Sequence, residues 1–334
     1  MIFDPADRER ELVAESESWD TSRPQSAREG DIPVIDVGPH LANPTVASLD
    51  AVAGQLRTAS EDVGFYQLVG HGLTDRDSAA ILRACRRFHS LDLDTKQSIR
   101  MDRPEHPLGG VGYLPVGHRK LPRRDRGNLN EAFIVKADDR VGLAQCQWLP
   151  EETLPHFRAE VEAYAVRVNA VAMSLLPLYE SALELEPGFF DDAFVDPMWR
   201  LRLTHYPPDP SEGDEGFGIA PHVDTTFFTL LLSDGPGLII FSHERDEWIH
   251  VPQIPGALIV NSGELLRTWT NDRFLSTRHF ATNSPTGDRH SIPFFFNANA
   301  DHPMECLPTC TGPENPPRYP TISYRRSQAA VQGE

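Results

Sequence analysis

The clearest hydrophobic pattern in the chain runs through Leu154, Phe157, Val161, Tyr164, Val168, Val171, Leu175 and Leu178, apolar positions separated by gaps of three and four. That spacing draws one apolar stripe along an α-helix and predicts a long backing helix near 154–183. Upstream, "IPVIDV" at 32–37 alternates and predicts a strand; a helix is expected over about 47–62, and "GFYQLVGHG" at 64–72 reads as a strand ending in a glycine-marked turn. Ile81, Leu82, Cys85 and Phe88 stand at helical spacing and set a helix around 75–89. After "PGFFDDAF" the character changes to short strands: "WRLRLTHY", "TTFFTLLL", "GLIIF", "WIHV", "ALIVNSG", "RHFAT" and "HSIPFFFNA". Gly and Pro turns separate them, and such a series predicts a sandwich or barrel. The fold class expected is α+β with a mainly β core flanked by helices.

The ends and loops divide the chain further. Residues 1–30 are charged and lack apolar periodicity, which predicts a mobile tail. The expected organisation is an N-terminal α/β region over 31–150, the backing helix and β core over 151–300, and a C-terminal extension over 301–334. Between 104 and 126 lies a Gly/Pro-rich loop too long for a simple connector. From His118 to Arg126 it carries five Lys or Arg against one Asp, so it reads either as a solvated charged loop or as a lid that attracts an anionic substrate.

Composition narrows the classes of function. The net charge of −18 argues against a broad nucleic-acid surface, because phosphate binding needs a positive footprint. No run of eighteen apolar residues occurs, and the acidic start "MIFDPADRERELVAESESWD" lacks the basic, then apolar, order of a signal peptide; no membrane partner and a cytoplasmic location are expected. The four cysteines, Cys85, Cys146, Cys306 and Cys310, are too scattered for a disulfide framework and are expected to be free thiols. There is no P-loop, no dinucleotide glycine fingerprint and no heptad seam, so a monomer or weak homo-oligomer is expected.

Within "PHVDTTFFTLLL", His222 and Asp224 stand one residue apart at the head of an apolar run. Read as one strand, positions i and i+2 share a face, and burying an imidazole and a carboxylate there requires a hydrogen-bond network or a metal ion. The pair alone leaves both open. His279, in the strand-like "STRHFAT", supplies a third candidate ligand. Two histidines and one carboxylate on a triangular face leave adjacent positions open, the arrangement of non-haem Fe(II) oxygenases. Ten residues on, Arg289 and Ser291 repeat the i, i+2 relation and offer a guanidinium fork and a hydroxyl to one carboxylate.

At this point the sequence resembles the Fe(II)- and 2-oxoglutarate-dependent dioxygenases of the isopenicillin N synthase-like superfamily. The resemblance covers about residues 32–324 and rests on "IPVIDV", "GFYQLVGHG", "GGVGYLPVG", "HYPP", "HVD", "NSGELLRTWTNDRFLSTRH", "RHSIPFFFNAN" and "ECLPTC". It implies a double-stranded β-helix, or jelly roll, with iron held by His222, Asp224 and His279 and the distal carboxylate of 2-oxoglutarate held by Arg289 and Ser291. Tyr206 looks like the family tyrosine that supports the cosubstrate. Two residues before it many members carry Asn where this chain has Thr204, so one cosubstrate contact is expected to be lost or replaced. The implied reaction couples oxidative decarboxylation of 2-oxoglutarate by O2 to hydroxylation, desaturation or cyclisation, with ascorbate as a possible reductant. The short segment after Ile322 lacks the long closing helix of many members, which would leave closure to the 104–126 loop.

Tyr113, Arg119, Phe133, Phe227 and Phe296 flank these motifs and are the candidates for lining a substrate pocket. The phenylalanines suggest an apolar or aromatic small molecule, and the basic loop hints at an acid group. Three competing readings stand beside this one. An oxidase like isopenicillin N synthase, or one using ascorbate, would keep the iron and dispense with 2-oxoglutarate. An inert jelly-roll binding module would keep the fold alone. A zinc hydrolase would use the same three ligands but leaves Arg289 and Ser291 unexplained.

Overall fold

The structure, a computed structural model, describes residues 20–21, 23–102, 110–118, 127–138, 142–209 and 216–326. Thirteen strands are present among them: β1 Gln25–Ser26, β2 Val34–Asp36, β3 Phe65–Val69, β4 Gly112–Leu114, β5 Glu131–Ala137, β6 Met198–Tyr206, β7 Ile219–His222, β8 Phe228–Ser233, β9 Leu238–Ser242, β10 Glu247–His250, β11 Leu258–Ser262, β12 His279–Ala281 and β13 Arg289–Asn297. They form an eight-stranded sheet in the order β2-β3-β11-β8-β13-β6-β5-β4 and a five-stranded sheet in the order β1-β10-β9-β12-β7. From β6 to β13 the chain crosses repeatedly between the two sheets, with β9 and β10 forming a hairpin in the smaller one, which produces the jelly roll.

Three helices cover the outer face of the larger sheet. Val46–Asp62 and Asp75–His89 each begin with a capping box, Thr45 with Ser48 and Thr74 with Asp77, which satisfies backbone donors that a helix start would leave exposed. Phe157–Ala182 starts after His156, whose φ of 64° turns the chain into the helix. By length and composition this helix could cross a membrane; here its stripe of Val161, Val168, Leu175 and Leu178 is buried in the main core. That core joins the helices to outward-facing residues of β5, β6, β8 and β13, leaving the inner faces of the two sheets for other purposes.

Several expectations are corrected. The N-terminal tail ends before residue 30: Gln25 and Ser26 pair in parallel with Ile249 and His250, and the Arg245 guanidinium ties Ser26 and Asp31 to that edge. Residues 1–19 lie outside the described residues, as do the 103–109 and 119–126 parts of the basic loop, Arg119 included. Strands β1, β4 and β5 add to the expected elements. The stretch "PHVDTTFFTLLL" is not one strand: His222 closes β7 in the smaller sheet, β8 begins at Phe228 in the larger one, and Asp224 lies in the crossing between them. The two side chains meet because the chain changes sheets, not through strand alternation. All four cysteines are free thiols, as expected.

Candidate active site

His222, Asp224 and His279 converge where β7 and β12 pair, with His279 directly opposite His222 in the ladder. His222 Nε2 lies 3.5 Å and His279 Nε2 3.8 Å from the same Asp224 oxygen, Oδ1. Each ring is fixed through its other nitrogen: His222 Nδ1 is 2.9 Å from Ala220 O, and His279 Nδ1 is 3.1 Å from Thr277 O. A carbonyl can only accept, so each Nδ1 carries the proton and each Nε2 presents its lone pair inward. Asp224 Oδ2 accepts from Thr229 Oγ1 at 2.7 Å and Asn261 Nδ2 at 2.9 Å, which orients Oδ1 toward the two rings.

The electrostatics suit a cation. Burial, reinforced by the nearby His222 ring, lowers the His279 pKa to about 4 and keeps it in the neutral, ligating form. Burial also opposes ionisation of Asp224, but positive charge at the His279 and His222 rings, with the hydrogen bond from Asn261, outweighs it and holds the carboxyl below its ordinary range; with both rings neutral, a bound cation would take the place of that charge. A buried carboxylate facing two neutral nitrogen lone pairs fits a divalent metal, and the donor set of two imidazoles and one carboxylate fits Fe(II).

Arg289 sits at one end of β13, opposite Tyr206 in register, its guanidinium over the Tyr206 ring at 4.5 Å from the centroid. Nε donates to Gly235 O at 3.2 Å, whereas the buried Nη1 has no partner among the described residues. Ser291 Oγ and Tyr206 OH are 3.4 Å apart on the same side. Thr204, two residues before Tyr206, is fully buried and its Oγ1 likewise lacks a partner. Unmade hydrogen bonds of buried groups are costly, and a bound carboxylate would satisfy them. Gly237, at φ 128°, approaches this guanidinium closely: a Cβ there would come within 2.8 Å of Thr282 O and 3.2 Å of Arg289 Cδ.

Between the sheets a cavity of about 560 Å³ opens onto His222 and Asp224, large enough for a small-molecule substrate. Its walls include Ile134, Met198, Arg200, Arg202, Phe295 and Asn297, with Tyr324 arriving from the C-terminal segment. That segment therefore reaches the cavity despite its shortness.

Four of the residues expected to line the pocket face the opposite way. On β13 the inward set is Arg289, Ser291, Pro293, Phe295 and Asn297, and Phe296 belongs to the alternate set, packed against Phe194 and Phe228 in the helix-covered core. Phe133 points outward from β5 onto Phe88 and Phe157. Phe227 is enclosed by Phe190, Phe194 and Trp269. Tyr113 is buried on that outer side, donating from its hydroxyl to Glu131 Oε2 at 2.6 Å. The alternation implied by Arg289 and Ser291 already contained the answer: counting by two from them selects Phe295, and counting back from Tyr206 selects Arg202 and Arg200. Phe296→Ala is accordingly expected to cost about 3–5 kcal/mol of stability, read by denaturant unfolding, while substrate preference stays unchanged.

Glu131 anchors a second cluster on the outer face of the sheet, with His89 and His205. Lys96 Nζ lies 2.9 Å and the Tyr113 hydroxyl 2.6 Å from Glu131 Oε2, and His205 Nδ1 is 2.8 Å from Oε1. With an ammonium already on the carboxylate, this is a charge network rather than a metal site, and His89 Nδ1 stands 3.4 Å from Glu131 Oε1. Burial works against the charge on His205, but Glu131 and Asp288 outweigh it and raise its pKa above 6.5. A raised folded pKa contributes stability that is complete below the ordinary value and is lost as pH rises through the folded one. The stability gap between the native chain and His205→Gln should therefore narrow as pH rises above about 6.5, measured by thermal unfolding across that window.

Comparison with known proteins agrees with this geometry. The 2OG-Fe(II) oxygenase superfamily matches residues 198–298, and the N-terminal domain of the non-haem dioxygenase in morphine synthesis matches residues 32–152. A 2-oxoglutarate-dependent dioxygenase of Didymella fabae is 31% identical over 294 residues, covering 83% of this chain and 88% of its own. The clavatol oxidase claD of Penicillium crustosum is 30% identical over 310 residues, covering 85% and 90%. Among solved structures, a full-length Neurospora crassa protein in complex with alpha-KG superposes with a TM-score of 0.81 at 22% identity, covering 93% of this chain and 100% of that one. A 2OG-Fe(II) oxygenase family protein from Caulobacter crescentus gives a TM-score of 0.77 at 26% identity, covering 90% and 98%. The chain belongs to the 2OG-Fe(II) oxygenase superfamily, and its class of activity is that of an Fe(II)- and 2-oxoglutarate-dependent dioxygenase.

Proposed function

We propose that His222, Asp224 and His279 hold Fe(II), that Arg289, Ser291 and Tyr206 hold the distal carboxylate of 2-oxoglutarate, and that the protein oxidises a small-molecule metabolite bound in the neighbouring cavity. The observation that carries this reading is the convergence of two Nε2 lone pairs and one carboxylate oxygen, in a chain that also holds a buried guanidinium nitrogen with no partner among the described residues. Thr204 Oγ1 is available to replace the contact that asparagine makes in many relatives. When bound, the iron supplies activation of dioxygen; the protein supplies placement.

In the balanced reaction, one oxygen atom of O2 enters succinate as 2-oxoglutarate loses carbon dioxide, and the other enters the substrate C–H bond, giving an alcohol. Removal of two hydrogens with release of water gives desaturation or ring closure instead. Positioning decides which bond reacts, and the cavity wall does that positioning. Ile134, Met198 and Phe295 favour an apolar or aromatic body. The test is oxygen-dependent formation of succinate from 2-oxoglutarate by the iron-loaded protein. Iron binding without succinate would favour an oxidase that draws its electrons from the substrate, with Arg289 holding the substrate's own carboxylate.

A further inference from the structure

We propose that the primary substrate carries a carboxylate held by Arg200 and Arg202, toward the end of β6 away from Tyr206 and Arg289. The inference rests on the reading above and names the substrate class for that site. Both arginines line the cavity, on the same face of β6 as Tyr206. Arg200 stands six positions from Tyr206, roughly 20 Å along a strand, so a cosubstrate on Arg289 and an acid on Arg200 would not compete for one guanidinium.

Arg200 is half-buried, yet it makes no hydrogen bond or ion pair with any described residue. Cations withdrawn from water are usually paired, and this half-buried one faces a cavity in which Asp224 is the sole carboxylate among the described lining residues. Lys136 lies directly across from Arg200 in the β5–β6 ladder. Burial and then the Arg200 charge push the Lys136 pKa down, with Asp138 acting in the opposite sense and Arg325 in the same one. Positive charge is thus concentrated here in a protein whose net charge is −18. Arg202 is 8% exposed and is set in place by Asn130, whose carbonyl oxygen accepts from its Nη2 while its amide donates to Gly218 O. Its guanidinium is therefore positioned before any substrate arrives, which lowers the cost of ordering on binding. The apolar walls of Ile134, Met198 and Phe295 fit the body of such an acid, and an arginine pair matches the planar geometry of its carboxylate.

The test uses the full chain loaded anaerobically with Fe(II) and 2-oxoglutarate. Phenylacetate, cinnamate, 1-naphthylacetate and decanoate are each titrated by calorimetry beside their methyl esters. At least one acid is expected to bind about tenfold or more tightly than its ester, the value of a charge-assisted hydrogen bond. In Arg200→Gln that preference should fall to about twofold or less, and Arg200→Lys should restore part of it. Equal binding of acids and esters, an unchanged preference in Arg200→Gln, or no acid binding at about 10 mM would overturn the proposal. Calorimetry reads the preference independently of iron spectroscopy, so absence of a 2-oxoglutarate charge-transfer band would count against the cosubstrate assignment alone.

Discussion

Asp224→Ala is expected to weaken Fe(II) binding by more than about 100-fold and to abolish iron-dependent succinate formation. Loss of a residue that merely orients a ligand costs about 10–100-fold in metal affinity, and Asp224 is itself a proposed ligand. It supplies the only negative charge in the triad, facing His222 Nε2 at 3.5 Å and His279 Nε2 at 3.8 Å. The variant should remain folded. Removing the carboxylate leaves Asn261 Nδ2 without its acceptor, a cost of about 1–3 kcal/mol against a typical total stability of about 5–15 kcal/mol, while Thr229 Oγ1 keeps Thr226 Oγ1 at 3.2 Å. Circular dichroism would establish the fold, and an equilibrium titration with Fe(II) under anaerobic conditions would read the affinity. Retained turnover in a folded, iron-loaded variant would remove Asp224 from the site.

The second large effect is expected at the other end of the cosubstrate. Arg289→Gln should leave Fe(II) affinity near the native value and weaken 2-oxoglutarate binding by at least about 30-fold, because truncating one partner of a buried charge pair costs about 2–5 kcal/mol. Arg289 is 3% exposed, its Nε is committed to Gly235 and its Nη1 has no partner among the described residues, so a neutral amide cannot replace its charge or its fork. Arg289→Lys should recover only part of the loss, since an ammonium keeps the charge without the bidentate geometry. The split between intact metal binding and weakened cosubstrate binding separates this residue from the triad. A variant that lost both equally would point to collapse of the β6–β13 end of the sheet instead.

The elements most legible in the sequence were those whose burial is one-sided. The stripe from Phe157 to Leu178 gave the long helix because one face meets the core and the other does not. Strand β5 carries a weak signal because Glu131 opens it, a residue that reads as exposed although Lys96, Tyr113 and His205 surround it. The triad was readable as residue types and spacing, but the reason for its convergence was not. His222 and Asp224 looked like one strand face, whereas the chain leaves the smaller sheet at His222 and enters the larger at Phe228. No glycine or proline marks that crossing, since "HVDTTFF" contains neither and opens with the polar, apolar, polar order of a strand.

The substrate pocket was the least legible part, and the error was one of parity. Nearness to a motif does not put a phenylalanine in the pocket, because a strand sends alternate residues to opposite faces. Phe296 and Phe295 are neighbours in sequence, yet one packs on Phe194 in the core and the other borders the cavity. Arg200 and Arg202 share the inward face with Tyr206. Their cationic character was hidden by an overall charge of −18 and by the more conspicuous basic loop.

If the triad holds iron, room is left beside it for 2-oxoglutarate to chelate the metal. The most direct measurement is an anaerobic titration of the metal-free protein with Fe(II) and then 2-oxoglutarate, recorded in the visible spectrum. A metal-to-ligand charge-transfer band that appears only when both are present, and is absent from Asp224→Ala, is the predicted result. Iron binding with no band on adding saturating 2-oxoglutarate would contradict it.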